Sequence, residues 1–497
     1  MNEIKQAKIE LLKKAGRELY PARTARANSC LQIKNSLDAL GPTERRPETV
    51  VVAGRVMQIR LMGKSCFINI EDSTAKLQAY FKADELGADY QLFVDAIEAG
   101  DFIEVKGFPF KTKTGEPSVH AQSWTLLSKS LLPLPEKWHG LKDTETRYRQ
   151  RYLDLVSNAQ VREIFQARSR IVAAIREVLD SHGYLEVETP IFQAQPGGAT
   201  AKPFKTFHEA LGADLYLRIA TELHLKRLIV GGLGKVYEIG KCFRNEGIDT
   251  THNPEFSMLE AYEAYGDYNT IAALTEEIVR RAAGKSGKFS GEVIFEKRKF
   301  PELWQKATGE ELERFLGDPY HFDRAKLEAC AKKLNVAYDH KGPTHKIFDK
   351  IMDQMILTQL PGFVFIFDYP TAISPLAKQV PGKPEWAERF ELFYNGAELA
   401  NAFSELNDPQ EQRHRMETQL ESKSKEKDEE IPPLDEDYIE ALAYGLPPTG
   451  GLGIGIDRLC MTLLGIDSIR EVILFPTLKP REGSGVRGQG SEEESEK

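Results

Sequence analysis

Two stretches of this 497-residue chain gather charged side chains where they could handle a charged ligand. The first, VYEIGKCFRNEGIDTTHNPEFSMLEAY (236–262), reads as strands over 236–246 and 255–262 joined by a loop over 247–254. Side chains alternate between the faces of a strand. Cys242, Arg244 and Glu246 therefore share one face, and Phe256, Met258, Glu260 and Tyr262 share a face of the return strand. Fixed charges on a sheet face are costly unless they are paired or bind something. Either a ligand sits there, or the wall is a solvated face with an Arg–Glu pair. The second stretch is AERFELFYNGAELANAFSELND (387–408), where Asn395-Gly396 is a strong hairpin signal. A two-residue turn predicts the pairs Tyr394–Ala397, Phe393–Glu398 and Glu391–Ala400. Glu391 and Glu398 are then diagonal neighbours, roughly 7–8 Å apart. A divalent cation bridging carboxylates and substrate phosphates relieves their repulsion; two solvated glutamates on an edge hairpin fit the spacing as well. Asn401, Phe403 and Glu405 have the opposite parity to Glu398. The two sets reach one face only if a bulge interrupts the strand near Leu399–Ala400.

Other candidate elements are glycine-rich. QPGGATAKPF (195–204) lacks the GK[ST] of a phosphate-binding P-loop. TGGLGIGIDRLCMTLLG (449–465) reads as a Gly-alternating strand turning into a helix, with Gly451, Gly453 and Gly455 baring a flat surface and Arg458 near the helix start. Its spacing does not fit a dinucleotide fingerprint. Glu222 begins the helix LHLKRL, where the helix dipole favours a carboxylate.

The rest of the chain must position these groups. Residues 1–48 read as a helical extension carrying Lys and Arg, either a solvated helix or a nucleic-acid contact; SCLQIKNSLDALG within it carries no clear element. Residues 49–129 switch to period two, with Gly54, Gly63 and Gly107 breaks and a Thr114-Gly115 turn, which predicts a small β-barrel. Residues 130–147 form a linker, Pro-rich at its start. The segment 157–192 reads as a long amphipathic helix capped by Ser157 or Asn158 and ended at Gly183, then a strand over 184–189 leading into Pro190. GDYNTIAALTEEIVRRAAG is a capped helix, and 363–378 a buried strand entering a loop. The tail 482–497 is acidic and of low complexity, and reads as disordered. No apolar run approaches the roughly 18 residues that span a bilayer. Five scattered cysteines without a CxxC argue against zinc and disulfides and suit the cytoplasm. Net charge is −9, so a nucleic-acid ligand would have to be met by local basic patches.

The 236–262 stretch resembles motif 2 of the class II aminoacyl-tRNA synthetases in its lysyl form. The long helix, strand and proline resemble motif 1, and GLGIGIDR resembles motif 3. AGRVMQIRLMGKSCFINIED resembles the OB-fold anticodon-binding domain of the class IIb branch, and the resemblance runs over about 49–481. It implies an α+β chain: an OB-fold barrel, then an antiparallel six-stranded sheet flanked by helices over 148–481, with a helical insertion at about 266–385. It implies activation of L-lysine by ATP with Mg²⁺, transfer to tRNA(Lys), and a homodimer through the motif 1 helix, without a membrane. Arg244 and Arg458 become the catalytic arginines. Arg244, Glu246, His252, Asn253, Phe256, Glu391 and Arg458 would bind ATP, with adenine stacked between Phe256 and Arg458 and His252 reaching the γ-phosphate. Glu391 and Glu398 would hold the metal. Gly198, Glu222, Glu260, Tyr262, Asn401, Phe403 and Glu405 would bind lysine, with Glu405 and the Tyr262 hydroxyl on its ε-ammonium. Arg60, Phe67, Gln78 and Glu116 would read the anticodon, although parity alone also fits Phe67 as barrel core. Lysyl-type sequences usually carry Pro where this chain has Thr221; little consequence is expected. A lysine ligase acting on a protein, which would lack the barrel, and a non-catalytic tRNA-binding paralogue are the rival readings.

Overall fold

The computed structural model describes residues 3–135, 141–426 and 430–480. Residues 136–140 of the expected linker and the tail 482–497 lie outside them. The chain divides into two units, Met1–Lys142 and Asp143–Lys497.

In the first unit, five strands close a barrel: β1 (Val50–Met62), β2 (Ser65–Glu71), β3 (Lys76–Lys82), β4 (Phe102–Lys111) and β5 (Pro117–Ser128), in the order β1-β2-β3-β5-β4. Strict alternation drives the closure. Cys66, Ile68 and Ile70 fill the interior, while Phe67 and Asn69 between them face outward. Helix α1 (Glu3–Lys14) buries Ile9 and Leu12. The stretch read as featureless holds a second helix, α2 (Cys30–Ser36). It starts at a capping box: the Ser29 hydroxyl accepts the Gln32 N–H, and the Gln32 side chain accepts the Ser29 N–H. The S-x-x-Q spacing was present in SCLQ.

In the second unit, helix α3 (Ala159–Ser181) has Asn158 at its N-cap position, but that side chain donates to Asp154 instead of capping. Gly183 then turns left-handed at φ 78°. The strand expected over 184–189 shrinks to β6 (Leu185–Glu186). Along the chain follow α4 (Glu222–Val230), β7 (Lys235–Phe243), β8 (Glu255–Ala264), α5 (Tyr268–Ser286), β9 (Phe295–Lys299), β10 (Phe363–Pro370), β11 (Lys383–Tyr394), β12 (Ala397–Ser404), α6 (Pro409–Glu426), α7 (Glu436–Ala443), β13 (Thr449–Gly455) and α8 (Ile456–Leu464). The strands form one sheet in the order β9-β10-β11-β12-β13-β8-β7-β6. The six from β10 to β7 pair antiparallel, as expected. The sheet is larger than six strands because β9 and β6 add to its two edges in parallel.

One sheet face is apolar. Leu259, Ala261, Phe390, Leu392, Ala400, Ala402, Leu452 and Ile454 pack under α3, α5 and α8, whose Ile171, Ile175, Ile278 and Leu459 complete the cluster. The alternate residues of the same strands, Glu260, Tyr262, Glu391, Asn401, Phe403, Gly451 and Gly453, therefore point to the opposite face. Among the described residues no helix is long and apolar enough to cross a membrane.

Strand β13 fits only because its glycines lack side chains. A Cβ on Gly450 would lie 2.5 Å from Ile271 Cγ1 and 2.8 Å from the Asp267 carbonyl oxygen. Gly450→Ala is expected to lower unfolding stability by about 1–3 kcal/mol through overpacking, read as a lower denaturant midpoint.

Candidate active site

The site is built on the charged sheet face. Strand β7 ends at Phe243, earlier than expected, and the loop occupies 244–254. Arg244 still donates its main-chain N–H to the Pro254 carbonyl at 2.9 Å, so its side chain springs from the hairpin's open end. The guanidinium lies over the Phe256 ring, 5.1 Å from its centroid, and its Nε is buried without a hydrogen-bond partner. An unused, buried donor on a half-buried guanidinium is suited to an oxyanion. Arg244 thus covers one face of Phe256. Arg458 instead donates to the Glu398 carbonyl and carboxylate, each at 3.3 Å, and its Nη2 lies 3.1 Å from His252 Nε2.

The loop is pinned by Asp249, which the sequence did not single out. Its carboxylate accepts the Thr251 and His252 N–H groups, each at 2.7 Å. Slight burial opposes ionisation, but these donors win and hold Asp249 well below the usual carboxylate range. His252 Nδ1 also meets Asp249, so the imidazole is fixed at both nitrogens. Asn253 accepts the Thr477 N–H at 3.3 Å and donates to the Glu255 carbonyl. Glu246 is exposed on the loop.

Behind the loop lies an acidic wall. Glu260 accepts the Thr221 N–H at 3.0 Å and the Tyr262 hydroxyl at 3.2 Å. Thr221 therefore matters more than expected, because proline has no N–H to give. Burial first, and the Glu222 carboxylate second, push Glu260 up to about 7. Glu222, the first residue of α4, pairs with Lys226 one turn on at 2.5 Å, and Lys226 also contacts Glu405. Glu405 is 2% exposed, and its Oε1 lacks a hydrogen-bond partner. It sits behind Gly451, where a Cβ would overlap Oε1 and approach Tyr262 Cε1 to 2.6 Å.

The β11–β12 hairpin turns at Asn395 (φ 48°) and Gly396 (φ 82°). Tyr394–Ala397 and Phe393–Glu398 pair as expected, but Leu392 then pairs with Ala400, and Glu391 with Asn401. The expected Glu391–Ala400 pair is off by one because Leu399 bulges out. The bulge falls where parity required it and brings Glu398 and Asn401 to one face. Glu391 accepts the Tyr369 hydroxyl at 2.7 Å and Arg389 Nη2 at 2.6 Å. Burial raises its carboxyl to about 7, Arg389 opposes this, and Glu398 adds to it. Two mutually repelling carboxyls, one of them buried, fit a divalent cation. Arg389 also donates to Asn401 Oδ1 at 3.0 Å. Neither it nor Lys226 was picked out, although Arg389 stands two residues from Glu391 and Lys226 four from Glu222.

These groups surround a cavity of about 420 Å³, walled by Gly198, Glu222, Arg244, Glu260, Asn401 and Arg458 among others. Gly198 has φ 83°, and a Cβ there would lie 3.1 Å from those of Ala220 and Glu222. Glu246, His252, Asn253, Phe256, Tyr262, Glu398 and Phe403 also reach the wall. Glu391 does not; it faces an adjoining cleft of about 1220 Å³ that shares His252, Glu398 and Arg458. Glu405 lies behind the wall.

On the barrel, Arg60 donates to Gln78 Oε1 at 3.1 Å, and Gln78 to Ser118 Oγ at 3.3 Å. Phe67 is outside the barrel core, 4.7 Å from the Tyr80 ring. Tyr80, Phe108, Phe110 and His120 continue this outer aromatic patch. They went unnoticed, although each alternates with an interior residue. Glu116 is exposed just before β5.

The Glu260 shift has a pH consequence. Its folded value, about 7, exceeds the ordinary 4.5, so this contribution to stability is complete below about pH 4.5 and is lost as pH rises through 7. Between pH 5 and 8 the ligand-free protein is expected to lose stability, by at most about 3 kcal/mol from this group. Glu260→Gln should flatten that fall in denaturant titrations at the two pH values.

Comparison with known proteins agrees with this geometry. Residues 143–479 match the family described as tRNA synthetases class II (D, K and N), and residues 50–127 match the OB-fold nucleic acid binding domain. A lysine–tRNA ligase of Dehalococcoides mccartyi is 46% identical over 494 residues, 98% of either chain. One of Pelotomaculum thermopropionicum is 47% identical over 489 residues, 96% of this chain and 95% of its own. One of Syntrophomonas wolfei is 44% identical over 488 residues, 97% and 98% respectively. The chain belongs to the class II tRNA synthetases of the D, K and N group.

Proposed function

We propose that this chain is a lysine–tRNA ligase, which activates L-lysine with ATP and transfers it to the 3′ end of tRNA(Lys). The observation that carries this reading is the pairing of an acidic pocket with an unengaged guanidinium. Glu222, Glu260 and Glu405 are buried on one side, and Arg244 Nε is unpartnered on the other. Such a pocket suits an amino acid with two ammonium groups and a carboxylate. Aspartate or asparagine would need donors where Glu405 stands.

In this reading the α-ammonium meets Glu222 near Gly198, with Glu260 ordering the wall. The ε-ammonium reaches Glu405 Oε1 past Gly451, beside the Tyr262 hydroxyl, with Phe403 along the methylenes. Asn401 and Arg244 take the α-carboxylate. That carboxylate is already ionised near neutral pH, so no general base is needed. One of its oxygens attacks the α-phosphorus, and the bond to the β-phosphate breaks with its electron pair leaving on pyrophosphate. Arg244, bridging carboxylate and α-phosphate, stabilises the charge that builds there. Adenine stacks on the free face of Phe256, Glu246 reads its edge from the loop, and Asn253 keeps the loop in place. His252 and Arg458 face the triphosphate. Mg²⁺, held by Glu391 and Glu398, would supply charge neutralisation to the phosphates. In the second step the tRNA 3′-terminal hydroxyl attacks the carbonyl carbon, and AMP leaves. Arg60, Phe67, Gln78 and Glu116 contact the anticodon, with Tyr80 extending the stacking surface. Leu185, Ile191 and Phe192, 51%, 42% and 57% exposed, suit a homodimer contact beside α3. The cytoplasm fits five buried thiols without a disulfide.

Amino-acid-dependent ATP–pyrophosphate exchange, run with all twenty amino acids and magnesium, is expected to respond to lysine alone. Exchange with a different amino acid would overturn the pocket assignment. Glu405→Gln should lower kcat/KM for lysine by about 100-fold or more, because a buried cation loses its counter-charge; unchanged exchange would remove Glu405 from the pocket. Phe67→Ala should leave exchange intact and raise KM for tRNA about tenfold in aminoacylation. An unaltered KM would move the anticodon contact elsewhere.

A further inference from the structure

Lys226 lies buried behind the pocket wall, and the reaction above makes no use of it. Its side chain is fully buried. Nζ stands 2.5 Å from Glu222 Oε1 on its own helix and touches Glu405 Oε2, which follows β12. The rings of Phe403 and Tyr438, the latter from α7, lie 5.4 and 5.8 Å from Nζ and close it in. One internal ammonium thus joins the carboxylate assigned to the substrate's α-ammonium with the carboxylate assigned to its ε-ammonium.

Stability alone does not account for this arrangement. Buried ion pairs generally hold no advantage over apolar packing of the same shape, whereas removing one partner is costly. Burial raises the carboxyls of both Glu222 and Glu405, and both stay raised on balance; the Lys226 ammonium is the strongest influence pulling each back towards its charged form. Two buried carboxyls without a nearby cation do not both stay ionised. A neutral Glu405 would offer an ammonium little reason to enter. Neither Glu405 oxygen has a hydrogen bond among the described residues; Lys226 forms an ion pair with Oε2, while Oε1 lies beside Gly451 and Tyr262, both of which face the cavity.

We propose that Lys226 is a positioning residue for amino-acid selection: by bridging Glu222 and Glu405 it supplies them with a shared counter-charge and holds them at a fixed separation, so that the pocket takes a diamino acid of one chain length. The proposal rests on the lysine pocket described above. Lys226 touches neither substrate nor ATP; it acts through the two glutamates.

The test is ATP–pyrophosphate exchange by the full-length protein with L-lysine and with L-ornithine, one methylene shorter. Lys226→Met, close to lysine in shape but uncharged, is expected to raise KM for lysine about tenfold or more with kcat changed less than about threefold. Its preference for lysine over ornithine in kcat/KM should narrow about tenfold. A role confined to packing would not move that preference. An unchanged preference and an unchanged KM would overturn the proposal. If Lys226→Met does not fold, Lys226→Gln is measured in its place, with the same outcomes expected and the same result overturning the proposal. Glu405→Gln, run alongside, separates the two levels. If it retains lysine exchange, the pocket itself is wrongly placed. If it loses exchange while Lys226→Met keeps both KM and preference, only the role of Lys226 fails.

Discussion

A single sheet must do two incompatible jobs, and the period of two along its strands makes that possible. One face is an apolar floor under α3, α5 and α8, and the other carries Glu260, Glu391, Glu398, an asparagine and aromatic rings. A slip of one residue in any central strand would exchange those faces. The hairpin at β11–β12 departs from the period at one place, and the departure is useful. Leu399 is inserted so that Leu399 and Ala400 both enter the apolar floor while Glu398 and Asn401 both reach the site. Glycines on β13 then leave room for Glu405 and Tyr262 to come together behind the sheet surface.

The pocket achieves its character through desolvation more than through any one contact. Glu260 and Glu391 both rise to about 7, and burial is the leading cause for each. Bases and carboxyls held away from their ordinary range mark places where binding energy is available to a ligand of opposite charge. The motif 2 loop works the other way. There, main-chain donors hold Asp249 ionised and fix His252 in place before any nucleotide arrives, which limits the ordering cost of binding.

Much of this was legible from residue order. The Asn395-Gly396 turn, the bulge near Leu399, the glycine strand and the helix beginning at Glu222 all follow from local chemistry and alternation. What was lost depended on distance in three dimensions. Lys226 reads as an ordinary helix lysine until Glu405, far along the chain, is folded against it. Arg389 shares the parity of Glu391, but its bond to Asn401 exists only because the bulge moved the register. The parallel edge strand β9 is too charged to show a strand pattern of its own, and β6 is shorter than its sequence pattern because only Leu185 and Glu186 pair with β7. The outer aromatic patch of the barrel is spread over four strands, so no single stretch of sequence shows it.

The bond from the Thr221 N–H to Glu260 leaves a mark on how this position can change over generations. The donor belongs to the main chain, while the Thr221 side chain itself is buried at the head of α4. Any residue that keeps an amide hydrogen preserves the link between α4 and the sheet. Only proline removes it, and the φ of −103° here lies well outside the ring's natural value. The proline that lysyl-type sequences usually carry at this position is therefore incompatible with the bond, and a chain that holds it must order the Glu260 wall without this amide.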